Sequence, residues 1–400
     1  MAHPSGHFRW GVVALLFATA MVNNLDRMVL SVLAPALKDS LSFGAVEYSY
    51  IVSAFLAAYA VGYLFCGRIL DRVGVKTGLA VALFVWSFAA IGHAAAVGWL
   101  SLAAFRFLLG FGESFNSPAG TKAIAEWVPR RERGLSMAIF SNGNVLGSMI
   151  APPLVAWLSL SFGWRWAFAV TGLLGFVLWI VWQRCYRPPT SAERVEPPSV
   201  AVADESAAKK MRQLSVRFFW VRFLTDPIVY FFVFWLPSYL QDERGFSLAM
   251  IGAVGWLPFL ASDVGGPGGG ALSDWLVRRG WNVRRARLAI MLFAACCTPA
   301  AILAVLTSSA PLALGAIALV FGAQSCWMAN QLTLISESVP SACVGRLLAR
   351  SALGGSLGGI VANLLAGRII ANVGYVPVFC ALGVVHLVAW MVLVGKKGNK

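Results

Sequence analysis

The chain has 400 residues, of which 59% are hydrophobic and 12% are charged, with a formal net charge of +15. A soluble domain carries roughly twice that fraction of charged residues, so the composition excludes an ordinary soluble protein. Apolar runs of about 20 residues, the length that crosses a bilayer as a helix, recur along nearly the whole sequence. These runs lack the strict alternation of a membrane β-barrel. We therefore expect an all-α integral membrane protein.

Twelve membrane spans are predicted in chain order. They begin near residues 10, 48, 77, 98, 134, 164, 217, 247, 287, 310, 346 and 374. The amino-terminal apolar run has no small-residue cleavage site followed by a soluble domain. We interpret it as the first span rather than as a signal peptide.

Basic residues are concentrated in alternate loops between the predicted spans. The main clusters are Arg68, Arg72 and Lys76; Arg130, Arg131 and Arg133; and Arg278, Arg279, Arg284, Arg285 and Arg287. This asymmetry is typical of loops on the cytoplasmic side of a membrane. It predicts a protein of the cytoplasmic (inner) membrane with both termini in the cytoplasm, and it accounts for the net charge without nucleic-acid binding.

The sequence divides into two related halves. We expect an N-terminal six-helix half at residues 1–184, a Pro-rich cytoplasmic linker at 185–213 and a C-terminal six-helix half at 214–400. The segment GRILDRVG follows the second span and GALSDWLVRRG follows the eighth, and each places Gly four residues before Asp. Repeated halves around a central cavity are the usual plan of secondary transporters.

Several segments resemble known transporters. GRILDRVGVK matches the signature loop of the major facilitator superfamily, and GNVLGSMIAPPL is similar to its Gly-rich, Pro-ended helix. The matching loop positions are Gly67, Asp71, Arg72, Gly74 and Lys76. The segments NNLDR, LTDPIVYFFVFWLPSYL and CWMANQLTLISESVP resemble the anion:cation symporter family within it, and most closely the hexuronate transporter branch. The resemblance implies twelve transmembrane helices in two halves, alternating access, and a gating role for the signature loop and for Asp274 in its repeat.

Charged residues inside the spans are costly in lipid, so we expect them to line the bundle interior or a wet cavity. On the first span Asp26 and Arg27 are adjacent. On the fourth, Arg106 and Glu113 are seven residues apart, which is about two helical turns, so they share a face. Tyr59 lies near the middle of the second span. Guanidinium groups bind carboxylates through paired hydrogen bonds, and a carboxyl group in a low-dielectric site can carry a proton.

These groups favour proton-coupled uptake of an organic anion. Asp26 and Glu113 are the expected proton carriers, and Arg27, Tyr59 and Arg106 are expected to bind substrate or to act in gating, as the resemblance also implies. Alternatively, Asp26–Arg27 and Arg106–Glu113 are structural ion pairs. The resemblance favours a sugar acid such as a hexuronate, while an aldonate, an aldarate or an aromatic carboxylate fits the same arginine pair. A proton-driven drug exporter is a rival that the two intramembrane arginines argue against.

Candidates for binding substrate hydroxyl groups lie on spans five and ten. They are Asn144, Gln324, Trp327 and Asn330. Amides hydrogen-bond hydroxyl groups and an indole ring packs on the C–H face of a sugar, whereas helix packing is an equal alternative for Asn144. The resembled branch usually has His where Gln324 stands. His386 is alone in an apolar span and is predicted to be a packed or interface histidine rather than a ligand.

Other motifs carry weaker or negative information. Asp226 precedes Pro227 and predicts a hinge, because Pro frees a backbone carbonyl. Lys122 and Glu126 lie one turn apart and could pair. The sequence has no nucleotide-binding loop, no nucleophile elbow and no metal motif, and its cysteines form no disulfide pattern. We therefore predict no enzyme activity, cofactor or metal. The expected partners are an organic anion, protons and the lipid bilayer, and the chain is expected to be a monomer.

Overall fold

The computed structural model describes residues 6–129, 131–190, 205–339 and 341–394, and every regular element in these ranges is helical. The helices of the first part are α1 (Gly6–Leu41), α2 (Ala45–Gly92), α3 (Trp99–Glu113), α4 (Asn116–Trp127), α5 (Arg133–Phe162) and α6 (Trp164–Cys185). A short 3₁₀ turn, His93–Ala95, follows α2. The helices of the second part are α7 (Glu205–Asp242), α8 (Leu248–Val254), α9 (Leu257–Arg278), α10 (Val283–Cys297), α11 (Ala300–Leu306), α12 (Ala310–Ser338), α13 (Ser341–Val373) and α14 (Val376–Val394).

Among the described residues, ten helical segments are long and apolar enough to cross a membrane. One of them, Ala45–Ala95, has 51 residues, or roughly 76 Å at 1.5 Å per residue, which is enough for two spans. It breaks at Gly74, where φ is 77° and ψ is 163°, a backbone conformation that glycine adopts at little cost. A further span consists of α3 and α4, which Ser114 and Phe115 separate. These two features bring the ten segments to the predicted twelve.

The described residues form two compact units. The first contains those within Met1–Pro197 together with Phe234–Trp256, and the second contains those within Pro198–Val233 together with Leu257–Lys400. The single helix α7 therefore contributes to both units. Of the predicted linker, residues 191–204 lie outside the described residues, and the part from Glu205 onward is already the start of α7.

Glycines set the helix spacing in the first unit. A Cβ added at Gly143 or Gly147 of α5 would collide with backbone atoms of α1, namely the carbonyl oxygens of Phe17 and Met21. The four-residue spacing of these glycines is typical of membrane helices whose backbones touch. Gly110 of α3 meets the backbone of α2 in the same way. Thus α5 packs closely against α1, and α3 packs closely against α2. This packing holds the polar segments of α1 and α3 at the centre of the unit.

The second unit uses the same device. Gly354 and Gly358 of α13 lie against the backbone of α7, and Gly265 of α9 lies against Gly322 of α12. The glycine-rich runs of the sequence therefore act as packing surfaces between helices.

Candidate functional site

A guanidinium group of α1 and a carboxylate of α3 meet in the first unit. Nε and Nη2 of Arg27 donate to the same oxygen, Oε2 of Glu113, over 3.0 and 2.8 Å. The side chain of Glu113 is fully buried. Its other oxygen, Oε1, has no hydrogen-bond partner among the described residues. The cation thus occupies one carboxylate oxygen and leaves the second available.

Arg106 provides a second cation beside this pair. It is completely buried, and its Nη2 donates to the backbone oxygen of Arg27 over 2.7 Å. Its Nε and Nη1 find no acceptor within the part of the chain that the structure describes. The guanidinium carbons of Arg27 and Arg106 each lie 5.2 Å from the centre of the Phe55 ring, a cation–π arrangement. A buried guanidinium with two nitrogens open as donors is suited to binding an oxyanion.

Asp26 is separate from the ion pair although it is adjacent to Arg27 in sequence. It is 2% exposed, and neither of its carboxylate oxygens has a hydrogen-bond partner among the described residues. No described cation lies within hydrogen-bond distance of either carboxylate oxygen. The alternative of structural pairs between Asp26 and Arg27 and between Arg106 and Glu113 is wrong in its partners, because α1 turns Arg27 toward Glu113 instead.

Tyr59 joins the cluster from α2. Its ring centre lies 5.0 Å from the guanidinium carbon of Arg27, and it stacks on Tyr63 with the ring centres 5.8 Å apart. The structure therefore brings Asp26, Arg27, Tyr59, Arg106 and Glu113 into one region of the first unit.

Two asparagines of α1 were not singled out by the sequence analysis. Asn23 accepts a hydrogen bond of 3.4 Å from Nη2 of Arg27. Nδ2 of Asn24 donates to the backbone oxygen of Asn144 over 2.6 Å and also to Ser148. The side chain of Asn144 is partly buried beside this contact. The sequence alone could have identified them, because two adjacent asparagines are unusual in an apolar span.

The second unit holds a cluster of buried amides on α12. Nε1 of Trp327 donates to Oε1 of Gln331 over 3.1 Å, and Nδ2 of Asn330 donates to the backbone oxygen of Cys326 over 3.0 Å. The amide nitrogens of Gln324 and Gln331 and the amide oxygen of Asn330 have no partner among the described residues. The cluster therefore presents two donors and one acceptor.

His386 of α14 joins the amide cluster of α12. Its Nε2 hydrogen-bonds Oε1 of Gln324, and its ring meets Trp327 edge-on with the ring centres 5.1 Å apart. The histidine is fully buried and packed, as predicted, but its hydrogen-bond partner on α12 lies 62 residues away and was not identified from the sequence. Gln331 was also missed, although it lies on the same helical stripe as Gln324, seven residues on.

The signature loop is anchored by an ion pair. Nζ of Lys122 on α4 lies 2.5 Å from Oδ1 of Asp71 on α2 and donates to the backbone oxygen of Leu70 over 3.0 Å. Lys122 therefore pairs with Asp71 and not, as its helical spacing suggested, with Glu126. The loop positions Gly67, Arg72 and Gly74 are exposed, while the backbone oxygen of Lys76 accepts from Trp182 over 3.0 Å.

The repeat of this loop in the second unit has its own cation. Nη1 of Arg287 on α10 lies 2.6 Å from Oδ1 of Asp274 on α9. Nη2 of the same guanidinium lies 3.1 Å from Oε1 of Glu337 on α12. In each unit the signature aspartate thus forms an ion pair with a basic residue on a neighbouring helix of that unit.

Two further ion pairs involve α7. Asp226 accepts from Nε and Nη2 of Arg222 over 2.9 and 2.7 Å, and its carboxylate lies over Gly355 of α13, where any Cβ would collide with it. At the other end of α7, within the first unit, Nζ of Lys38 lies 3.5 Å from Oδ2 of Asp242.

A buried tyrosine reinforces the contact of this end of α7 with the rest of the first unit. The hydroxyl group of Tyr48 donates to the backbone oxygen of Phe234 over 2.6 Å. Its ring packs edge-on against Trp235 with the ring centres 4.9 Å apart. Tyr48 and the ion pair of Lys38 therefore fix the segment Phe234–Asp242 to α1 and α2.

Residues 16–349 match the sequence profile described as Major Facilitator Superfamily. The chain belongs to the major facilitator superfamily. Similar curated proteins include a probable galactarate/D-glucarate transporter of Bacillus subtilis (strain 168), which is 29% identical over 92% of this chain and 86% of that protein. The D-galactonate transporter of Escherichia coli O6:H1 is 25% identical over 98% and 96%, and the hexuronate transporter of Escherichia coli (strain K12) is 35% identical over 64% and 63%.

Solved structures of low sequence identity share this fold. The D-xylose-proton symporter matches with a TM-score of 0.78 at 14% identity, over 96% of this chain and 97% of that protein. A bacterial homologue of the human lysosomal transporter Spinster matches with a TM-score of 0.77 at 18% identity, over 98% and 96%. Both likenesses concern the fold alone.

Membership of the major facilitator superfamily confirms the resemblance read from the signature loop and from the hexuronate-transporter-like segments. The fold class is confirmed as well, and the chain is an integral membrane protein. The superfamily and these relatives are transporters, so the expectation that the chain is not an enzyme is confirmed.

Proposed function

We propose that the chain is a secondary active transporter that takes up a sugar acid, such as a hexuronate, together with protons by alternating access. The observation that carries this proposal is the buried guanidinium of Arg106, whose Nε and Nη1 have no acceptor among the described residues, beside the Arg27–Glu113 pair. Relatives named for hexuronate, galactarate/D-glucarate and D-galactonate support the substrate class. The alternative is a transporter of another carboxylate, namely an aldonate, an aldarate or an aromatic carboxylate.

In this proposal the anion and the proton favour each other. A substrate carboxylate that binds Arg106 and Arg27 competes with Glu113 for the Arg27 guanidinium. The carboxylate of Glu113, once released from its cation, accepts a proton more readily. Asp26, which has no described cation partner, is the second proton carrier. Thermodynamic linkage then makes the preference mutual, so the anion promotes proton binding as much as the proton promotes anion binding.

Within the second unit, the amide cluster of α12 is proposed to recognise hydroxyl groups. The open amide nitrogens of Gln324 and Gln331 donate to substrate oxygens, and the open oxygen of Asn330 accepts from a hydroxyl group. The ring of Trp327 packs on the C–H face of the sugar. Asn144 serves the same purpose in the first unit. A site built from buried amides disfavours analogues without hydroxyls, because their binding leaves the amides unpaired.

The ion pairs at the helix ends act in gating. Asp71 with Lys122, and Asp274 with Arg287, stabilise the signature loops, while Lys38 with Asp242 holds the far end of α7. The distribution of basic residues supports a protein of the cytoplasmic membrane with both termini and both signature loops in the cytoplasm. The protein works as a monomer.

The decisive experiment is uptake by purified protein in proteoliposomes. Radiolabelled galacturonate, galactonate and galactarate are each offered with an inward proton gradient, with and without a protonophore. Galactose, which differs from galacturonate by the carboxylate, is the matched control. We expect accumulation of at least one acid that the protonophore abolishes, and no accumulation of galactose. Accumulation of galactose alone, or of cationic lipophilic compounds alone, would overturn the proposal.

A further inference from the structure

A groove of about 1170 Å³ opens at one end of the second unit. It lies between residues 212–220 of α7, the first turns of α10 and the last turns of α12 and α14. Three arginines line it, Arg212 and Arg217 from α7 and Arg284 from α10. Gln324 of the amide cluster lies 14 residues before the end of α12 at Ser338, or about 21 Å along the helix. The groove is therefore distinct from the proposed substrate site.

The charge of the groove is strongly positive. Glu337 is the one acid among the described residues that line it, and its carboxylate already lies 3.1 Å from the guanidinium of Arg287. A site with three guanidinium groups is suited to a phosphate group, which guanidinium binds with paired hydrogen bonds.

The walls of the groove are partly apolar. Leu288, Leu334 and Leu393 form part of the lining. At the mouth, Val216 and Trp220 are one helical turn apart on α7 and are 54% and 50% exposed. Exposed apolar side chains at the end of a membrane span face acyl chains, and Trp is enriched at the membrane–water interface. The ligand therefore has an anionic head and an apolar tail.

We propose that this groove binds an anionic glycerophospholipid of the cytoplasmic leaflet. The phosphate lies between Arg212, Arg217 and Arg284, and the acyl chains leave past Val216 and Trp220. The leaflet follows from the positive-inside distribution of charge, which puts this arginine-rich end in the cytoplasm. The inference stands independently of which anion the protein transports.

The test measures lipid binding directly. Purified protein in detergent is titrated with phosphatidylglycerol or with phosphatidylcholine of the same acyl chains, and bound lipid is counted by native mass spectrometry. Wild type should retain phosphatidylglycerol in preference to phosphatidylcholine. Each basic residue near a membrane surface contributes roughly a fivefold gain in affinity for anionic lipid. Arg284→Gln, at an exposed position, should therefore weaken retention about fivefold, and Arg212→Gln/Arg217→Gln/Arg284→Gln about a hundredfold.

The matched control carries the same loss of charge at exposed positions outside the groove. This variant is Arg278→Gln/Arg279→Gln/Arg285→Gln, and it should bind phosphatidylglycerol like wild type. Equal loss in both triple variants, or equal retention of the two lipids by wild type, would overturn the proposal.

Two further measurements distinguish the lipid from other occupants of the groove. Inorganic phosphate should compete only weakly with the lipid; full competition at equal concentration would make the groove a site for free phosphate. The acidic residues Glu193, Glu196 and Asp204, which lie outside the described residues, are the rival occupant within the chain. Their replacement by Gln or Asn should leave lipid retention unchanged. Retention that appears only after this replacement would assign the groove to the chain itself.

Discussion

Arg27 and Glu113 form a buried ion pair in which two N–H groups of the guanidinium share one carboxylate oxygen, the shorter contact being 2.8 Å. Removal of one partner of such a pair leaves a charge without compensation in a poorly solvated site, at a cost of about 3–5 kcal/mol. Asp26, the next residue along α1, has no described cation partner. The two proposed proton carriers therefore differ in what their neutral variants do to the structure.

Asp26→Asn should keep counterflow of substrate and lose uptake driven by a pH gradient. The amide has the size of the protonated carboxyl group, so the loaded carrier still reorients, but it has no proton to release on the empty return. Glu113→Gln should lose thermal stability as well, by about 3 kcal/mol, because Arg27 becomes unpaired. Counterflow, gradient-driven uptake and melting temperature are measured on the same preparation. If both variants still concentrate substrate under a proton gradient, neither carboxylate couples transport, and Asp226 is the next candidate.

Arg106→Ala should abolish substrate binding, because it removes the guanidinium that has open N–H groups. Arg106→Lys should restore little of it, since an ammonium group lacks the planar fork that holds a carboxylate. Arg27→Ala should have the same effect on binding and destabilise the fold in addition. Thermal-shift titration with a sugar acid reports both properties. Arg165→Ala, at an exposed position, is the control, and wild-type affinity in both alanine variants would contradict the anion site.

Asp71→Asn should slow transport more than it weakens binding. Asp71 pairs with Lys122 and not with a residue of the anion site, so its loss changes the balance between conformational states. Lys122→Gln should reproduce the effect, whereas Glu126→Gln, one turn along the same helix, should resemble wild type. The measurement is the maximal uptake rate beside the dissociation constant. A large loss of affinity with an unchanged rate would disprove the gating role.

Tyr48→Phe should release the end of α7 more than Lys38→Ala does. The buried hydroxyl group of Tyr48 donates to the backbone of Phe234, and a buried hydrogen bond contributes about 1 kcal/mol. Lys38 and Asp242 are partly exposed, so their pair contributes roughly 0.2–1 kcal/mol. Amide hydrogen exchange across Phe234–Asp242 should rise about fivefold in Tyr48→Phe. Tyr50→Phe, at an exposed position on the same helix, is the control, and an equal rise there would refute the assignment.

His386→Phe should reduce the preference for hydroxylated acids. His386 holds the amide oxygen of Gln324, which fixes the amide nitrogen as a donor, so its removal lets the amide turn. The ratio of affinities for galactonate and a deoxy analogue should fall by about tenfold, as expected for one hydrogen bond to a buried amide. His386→Gln, which keeps a hydrogen-bond donor, should restore part of this preference for the hydroxylated acid. A loss of affinity that is equal for both acids would show a merely structural role.

The helices were predictable from sequence because bilayer thickness sets the length of each apolar run, and the break at Gly74 agrees with the two spans predicted on either side of it. The pairing of charges was not predictable in the same way. Arg27 and Glu113 are separated by 86 positions and Gln324 and His386 by 62. Which side chains meet depends on how closely the helices pack, and glycines such as Gly147, which lies against the backbone of α1, set that distance. Spacing along one helix correctly placed Arg106 and Glu113 on a shared face, but it could not identify the partner on α1.

The division of α7 has a consequence for splitting the chain into separately expressed polypeptides. A cut within residues 191–204 leaves the segment Phe234–Trp256 on the C-terminal fragment, although its contacts belong to the first unit. The N-terminal fragment alone then exposes Tyr48, which is fully buried in the intact chain, and leaves Lys38 without its acid. The two fragments are thus not independent folding modules.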